Sequence, residues 1–515
     1  MASAHARVRA RLGAAVGADG AVRRPCASRT LESALLLVLL RQRGSHTQEA
    51  GSLVAYLATP QAQATGFDAA MSRAVLLGEN TATDVVGGEL LADFDHFSVA
   101  RKRLFFDVCL AVAGAVPFES TMLPPVRATA PGEDNTVVWI EMIRLSLRVL
   151  AAHGLDREGE LTDRERHRLV DLLDLSRAPV WENYPAAHLL TLLAVQQFAP
   201  GHPLVARGTS RVVACRNQDG GVPSLSNLDV ISTGAAGIAL ARANAEGALL
   251  NRIGDYLVSR QRPDGGWPFG EDMSHSDVDS SSYVAGCLAT IDAVRHRAAL
   301  LRAGEYFRGL AGPDGGFPTY VHGDPSETGM TGGAVSGLAW NPQAHGDLLE
   351  GAARWLLDAQ HEDGTFERSW SLSEANAIWR ATWALNSIPE PVRTVLRPRL
   401  ARADAAVSSF LNRAQNSDGG WGYRPGHASD TASTCYSLLS LAAIGRRLDT
   451  DPVVRAGIEH LIARQEPDGG FTALPDQVAP RPLLFDPPVW ADIWALMAMA
   501  SCNTDWNWPL PAPTR

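Results

Sequence analysis

Asp-Gly pairs recur after helical stretches along this 515-residue chain, and their regular return limits the fold more than any other feature. They stand at Asp219, Asp264, Asp314, Asp363, Asp418 and Asp468, separated by 45, 50, 49, 55 and 50 residues. Four of these carry a glutamine three positions earlier (Gln261, Gln360, Gln415 and Gln465), and four run on into Gly-Gly-Trp or Gly-Gly-Phe. Amphipathic stretches such as 253–260 and 458–464 lead into the turns. Proline and glycine stop the helix there, and glycine supplies the positive φ of a tight turn. A helix rich in small residues follows, as at 281–294 or 431–444. Two helices per repeat and no strand-like alternation predict an all-α array of helix hairpins, either an open solenoid or a closed toroid. Taken alone, such turns only staple helix pairs together.

Hydrophobic residues make up 46% of the chain and charged residues 20%, which excludes a disordered polymer and supplies more than one core. The net charge of -10 disfavours a nucleic-acid binder, which would carry a basic stripe. Lys102 is the only lysine, so arginine carries nearly all the positive charge. The cysteines (Cys26, Cys109, Cys215, Cys287, Cys435, Cys502) are scattered, as suits reduced, mostly buried thiols. No apolar run approaches the ~18 residues of a membrane span. The Ala/Arg-rich first thirty residues read as a transit peptide or as an opening helix, and a cytoplasmic location is expected. Residues 31–251 hold a single strong turn, at Asp219, with degenerate helices near 101–115 and 136–153. They predict a second helical domain of drifted repeats.

The Gln-x-x-Asp-Gly-Gly-Trp units resemble the QW repeats of squalene–hopene and class II terpene cyclases, and the segment 105–125 resembles a γ-domain segment of the hopene cyclases. The resemblance covers nearly the whole chain. It implies a βγ architecture of two α/α-barrels, with residues 1–30 and 252–515 as β and 31–251 as an inserted γ. Protein prenyltransferase β subunits and thioester-containing complement domains share the toroid, so the repeats alone leave function open.

Ser276-Asp277-Val278-Asp279-Ser280-Ser281 resembles the Asp-x-Asp-Asp-Thr-Ala signature of class II cyclases. By position Asp279 is the acid that protonates a terminal alkene, Asp277 its supporting carboxylate, and Ser280 stands where the family carries a third aspartate. Protonating an alkene near neutral pH requires a carboxyl that keeps its proton, whereas a free aspartate titrates near 3.9. Burial supplies such a shift. Ser280 is expected to hydrogen-bond Asp279, and Asp279 to sit deep at the β–γ interface, shielded from solvent. The same residues also read as a capping box, Ser276-x-x-Asp279, opening the next helix. A helix N-terminus favours the ionised form.

A carbocation needs a dry cavity with π faces. Trp267, Tyr283, Phe317, Trp370, Trp379, Trp383 and Trp490 are the candidate lining, with Trp340 and Trp494 also in view. For a diphosphate, the resemblance implies arginines and Mg2+, with Glu133 and Asp134 as candidate ligands and Glu158, Glu160 and Asp163 as a second set. No two aspartates are adjacent, so ionisation of the diphosphate is not expected. The segment 430–436 resembles a zinc-site helix of protein prenyltransferases, but Ser433 stands in place of the ligand histidine. The histidine that partners the acid in hopene cyclases has no counterpart in Met330-Thr-Gly-Gly-Ala.

The expected function is protonation-initiated cyclisation of a linear prenyl diphosphate to a bicyclic product that keeps its diphosphate. Geranylgeranyl diphosphate is the first candidate substrate and farnesyl diphosphate the second. A squalene-type triterpene cyclase and a non-catalytic α-toroid binding module are the alternatives. The expected partner is the small-molecule substrate, with no nucleic acid and no membrane span, and self-association into a homodimer is allowed for.

Overall fold

The computed structural model describes residues 2–81, 84–92, 98–123, 137–368 and 370–503. Its helices are α1 (Ala2–Ala14), α2 (Thr30–Arg43), α3 (Thr47–Leu57), α4 (Gly66–Leu77), α5 (Val99–Ala113), α6 (Val138–Gly154), α7 (Asp163–Leu175), α8 (Pro185–Phe198) and α9 (Pro203–Ala214). They continue as α10 (Asp229–Arg242), α11 (Gly247–Ser259), α12 (Val278–Asp292), α13 (Arg297–Leu310), α14 (Thr328–Leu338) and α15 (Pro342–Ala359). The last are α16 (Glu374–Asn386), α17 (Val392–Ala414), α18 (Thr431–Ala443), α19 (Pro452–Ala463) and α20 (Val489–Asn503). Two short antiparallel pairs are the strands among the described residues: β1 (Ser28–Arg29) with β2 (Val222–Pro223), and β3 (Gln477–Val478) with β4 (Leu484–Phe485). The chain is an all-α protein of two toroids.

The even-numbered helices α10 to α20 pack in sequence order, and α20 returns onto α10 to close an inner ring. Small residues permit this. Gly234 of α10 lies against the Tyr283 backbone of α12, where a Cβ would come within 3.1 Å. The odd-numbered helices α11 to α19 form an outer layer, and α1 completes it by packing on α20. Each repeat turn works as a staple. In the turn at Asp264 the Gly266 N–H donates to Asp264 Oδ1 (3.0 Å), while Gln261 Nε2 donates to the carbonyls of Gly265 and of Ala299 in the next outer helix (both 2.8 Å). Gln415 repeats the bond onto Val453 (2.9 Å), and Gln465 repeats it onto Ala4 of α1 (3.0 Å), which joins the two ends of the chain.

A further copy of this turn escapes the sequence pattern. At Asp19-Gly20 the Gly20 N–H donates to Gly17 O (3.0 Å), Gly17 N–H to Ala21 O (2.8 Å) and Ala21 N–H to Asp19 Oδ1 (3.3 Å). It lacks the glutamine and the aromatic, and only its Asp-Gly pair, with the glycine at φ 93°, marks it. Two cores follow from this packing. One joins residues 4–26 to 225–502, and the other spans residues 31–222 and takes in Leu483. α10 and the whole of α11 therefore belong with the ring, although the expected boundary at residue 252 puts α10 in the inserted unit and cuts through α11. The physical reason is that the small-residue face of α10 is buried against α12 and α20.

The β3–β4 hairpin crosses between the cores. Its tip residue Leu483 is buried in the second core, and Arg29 holds its two arms by donating to the Ala479 and Leu484 carbonyls (2.6 and 3.1 Å). Arg29 is itself buried and paired with Glu32 (2.5 Å), so the clasp is a desolvated, charge-assisted one. No described helix is long and apolar enough to cross a membrane.

Candidate active site

A small cavity opens within the ring, lined by Asp279, Tyr283, Gly329, Met330, Trp370, Asn376, Arg380, Gln477, Trp490 and Trp494. Helical spacing explains the set. Asp279 and Tyr283 on α12, Asn376 and Arg380 on α16, and Trp490 and Trp494 on α20 are each four residues apart, so each helix turns one face to the same space. Gly329 at the start of α14 leaves room where any larger side chain would project.

Asp277 caps α12. Its Oδ1 accepts from the Ser280 N–H (2.6 Å) and its Oδ2 from the Ser280 hydroxyl (2.8 Å). The N-cap is thus Asp277 and not Ser276, whose hydroxyl donates to Asp264 in the preceding turn (2.9 Å). Burial, first, and the neighbouring Asp279 push the Asp277 carboxyl up to about 7, against the opposing bonds from Ser280. Asp277 does not line the cavity; Asp279 does. This corrects two expectations. Ser280 orients Asp277 rather than Asp279, because at the third helical position it faces back to the cap. Asp279, in the first turn after that cap, keeps 27% of its side chain exposed rather than being sealed.

The basic partner of Asp279 is Arg380. Its Nη2 stands 2.7 Å from Asp279 Oδ1, an ion pair by distance, although the N–H is not aligned for a hydrogen bond. Arg380 Nη1 donates to the Tyr283 hydroxyl (2.9 Å), and the guanidinium lies over the Tyr283 ring, 4.8 Å from its centre. Arg380 carries no local motif. Only its spacing on α16, four residues beyond Asn376, hints at an inward face.

The aromatic expectation divides. Tyr283, Trp370 and Trp490 line the cavity, as does Trp494. Trp379 stands behind them, stacked on Tyr436 (5.4 Å, 8°) and edge-on to Trp494 (5.3 Å). Trp267, Phe317 and Trp383 do not line it. The Trp267 indole is fully buried and donates to Leu257 O (2.7 Å), tying its turn to the helix before it. Phe317 packs edge-on against Phe307 (6.3 Å), and Trp383 takes a cation–π contact from Arg242 (5.4 Å). Trp340 lies near His345 (6.4 Å) and does not line the cavity either. The second unit reaches the cavity through edge-on rings: Trp139 of α6 meets Tyr320 (4.9 Å), which meets Trp370 (6.5 Å).

Of the metal candidates, Glu133 and Asp134 lie outside the described residues. Glu158, Glu160 and Asp163 are each engaged by a basic side chain, His153 (2.9 Å), Arg157 (2.6 Å) and Arg166 (2.9 Å) respectively. Among the described residues no cluster of three metal-ligating side chains occurs. The described residues therefore do not make a Mg2+ site. Ser433 bonds Ser373 (2.8 Å), an ordinary contact between inner helices.

A ring of helix pairs around an aromatic cavity with one carboxylate in its wall defines an α/α-toroid with the makings of an acid catalyst. The family described as "Squalene-hopene cyclase C-terminal domain" matches residues 321–504, and "Prenyltransferase alpha-alpha toroid domain" matches residues 180–369. A drimenyl diphosphate synthase from Streptomyces showdoensis is 38% identical over 96% of this chain and 93% of its own, and one from Streptantibioticus cattleyicolor is 36% identical over the same shares. The ent-copalyl diphosphate synthase of Streptomyces platensis shares the fold, with a TM-score of 0.59 at 18% identity over 97% of this chain and 99% of its own. The chain belongs to the class II terpene cyclases, enzymes that cyclise a prenyl chain after protonating it.

Proposed function

We propose that this chain cyclises farnesyl diphosphate to drimenyl diphosphate, a bicyclic fifteen-carbon product that keeps its diphosphate. The observation that carries the reading is that Asp279 alone of the motif's carboxyls enters the aromatic cavity. The full-length relatives favour a C15 substrate over the C20 one first expected. They also disfavour the triterpene alternative, since both are diphosphate synthases.

In this reading Asp279 donates its proton to the distal alkene. Asp277, locked on Ser280, holds the turn that presents it. Tyr283, Trp370, Trp490 and Trp494 offer π faces to the cation as positive charge moves along the chain. The diphosphate is taken by cations at the junction of the two units. There Lys102 of α5 has Arg101, Arg481 and Arg29 for neighbours. Burial, first, and then these like charges push its ammonium down to about 7. Arg481 lies over the Trp370 ring (4.1 Å), at the cavity wall. An incoming diphosphate would relieve that repulsion. Mg2+, when bound, would neutralise diphosphate charge, with Glu133 and Asp134 as its proposed ligands.

The test is incubation with farnesyl and geranylgeranyl diphosphates, with products analysed after phosphatase treatment and free pyrophosphate measured alongside. A bicyclic C15 alcohol without pyrophosphate release is expected. Stoichiometric pyrophosphate, or unconverted linear alcohol, overturns the reading.

A further inference from the structure

A second buried carboxyl stands behind the cavity wall, and the initiating step has no use for it. Asp476 is 5% exposed, immediately before β3. Its Oδ2 accepts from the Ser371 hydroxyl (2.6 Å) and from Gln477 Nε2 (2.7 Å), and the Tyr436 hydroxyl lies 3.4 Å from its Oδ1. Gln477 Nε2 also lies 3.4 Å from the Tyr436 hydroxyl. Gln477 itself lines the cavity, as does Asn376, which bonds to Tyr436. The amide of Gln477 thus turns its N–H groups to the buried acid and phenol, which leaves its oxygen as an acceptor for a hydrogen bond from the cavity. Asp279 and Arg380, Asn376 and Gln477 are the hydrogen-bonding groups of an otherwise aromatic and apolar wall, apart from the phenol of Tyr283. Asp279 and Arg380 are paired with each other. The amides are neutral and are backed by an acid.

We infer that Asp476, acting through Gln477, sets where the reaction ends. Gln477 and Asn376 seat a water molecule against the final carbocation, and Asp476 orients Gln477 and favours positive charge on that water. This rests on the cyclase reading above. In the terminating step the C–H bond beside the cationic carbon breaks, its electron pair becomes the new C=C bond, and the proton passes to the lone pair of the seated water. The surplus proton leaves by the open side of the cavity, where Asp279 meets solvent. Overall the proton lost equals the one that Asp279 gave, as an isomerisation requires. Burial, first, with a contribution from Asp430, raises the Asp476 carboxyl to about 7, so it is ionised in part near neutrality. Asp476 is a positioning residue, because it does not touch the substrate.

The inference is tested by product pattern rather than by rate. Asp476→Asn keeps the shape of the acid and removes its charge. Gln477→Leu removes the seat for water. With farnesyl diphosphate the products of both variants are compared with those of wild type at equal substrate conversion. Both should change the ratio of the main alkene to isomeric alkenes and water-captured diols by about tenfold, which corresponds to ~1.4 kcal/mol between competing exits. Ser371→Ala, which takes one bond from Asp476 and leaves Gln477 in place, should move the ratio the same way by less. An unchanged product ratio in Asp476→Asn and Gln477→Leu, with folding intact by circular dichroism, overturns the inference. So does a loss of consumption that tracks melting temperature, since that marks a structural role. If wild type forms no cyclised product, the cyclase reading fails first.

Discussion

Asp277 and Asp279 stand two residues apart and meet different surroundings, because one is the cap of α12 and the other lies in its first turn. Asp279→Asn is expected to lower turnover at least 10⁴-fold, the upper end for loss of a general acid, with melting temperature nearly unchanged; a tenth of wild-type activity would remove Asp279 from its role. Asp277→Ala loses the cap, worth about 1 kcal/mol, which thermal unfolding reads directly. Both Asp277 and Asp476 titrate near 7 in the fold, against about 3.8 in the free chain. The folded state therefore keeps these protons longer than the unfolded chain does. Their contribution is fully present below pH ~4 and is lost as the pH rises through 7, on the order of 4 kcal/mol each at most. The unfolding midpoint should fall between pH 5 and pH 8, and the slope should flatten in Asp277→Asn. Ser280→Ala removes the hydroxyl bond that opposes the shift of Asp277 and keeps the one from the backbone N–H, so it should raise that carboxyl modestly further.

At the scale of elements, the repeat turns carry the ring by hydrogen bonds from glutamine and by glycines that admit no side chain. A Cβ on Gly20 would stand 2.2 Å from the Arg252 carbonyl oxygen, and its φ is 93°, so Gly20→Ala should be strongly destabilising although no motif marks it. Gln465→Ala removes the bonds to Gly469 and Ala4 (2.8 and 3.0 Å). At roughly 1 kcal/mol for each, it should loosen α1 first, which hydrogen exchange of residues 2–14 would show as faster exchange there than in α12. A uniform increase across the ring would mean that α1 is held by its apolar face and not by this staple.

For the molecule as a whole, the two cores meet where the β3–β4 hairpin carries Gln477 to the cavity and Leu483 into the second unit. Lys102 and Arg101 reach that junction from α5, Arg481 from the hairpin. Lys102→Met should raise KM for farnesyl diphosphate about tenfold and leave kcat within about threefold, because charge that holds the diphosphate stabilises ground state and transition state alike. The effect should shrink at high salt. Equal loss in KM and kcat would place the diphosphate elsewhere. Glu133→Ala is expected to raise the Mg2+ concentration needed for half-maximal rate, read by titration.

Turn spacing, helical periodicity and the Asp-Val-Asp-Ser segment are local in the chain, so the all-α toroid and the acid motif could be read from the order of residues alone. A turn that keeps its Asp-Gly pair without the glutamine or the aromatic, as at Asp19-Gly20, could not. Arg380, Asn376 and Gln477 lie about 100 to 200 residues from Asp279 and carry no pattern of their own; closure of the ring is what brings them to one cavity. The same closure separated the tryptophans. Trp267 and Trp490 were both candidates for the lining, but the repeat turn folds Trp267 back onto α11, while α20 faces Trp490 into the bore. Which aspartate is buried was likewise a tertiary matter: the chain offers two carboxyls, and packing around the α12 cap sealed Asp277 and left Asp279 at the cavity, because a cap must turn inward to reach its own helix.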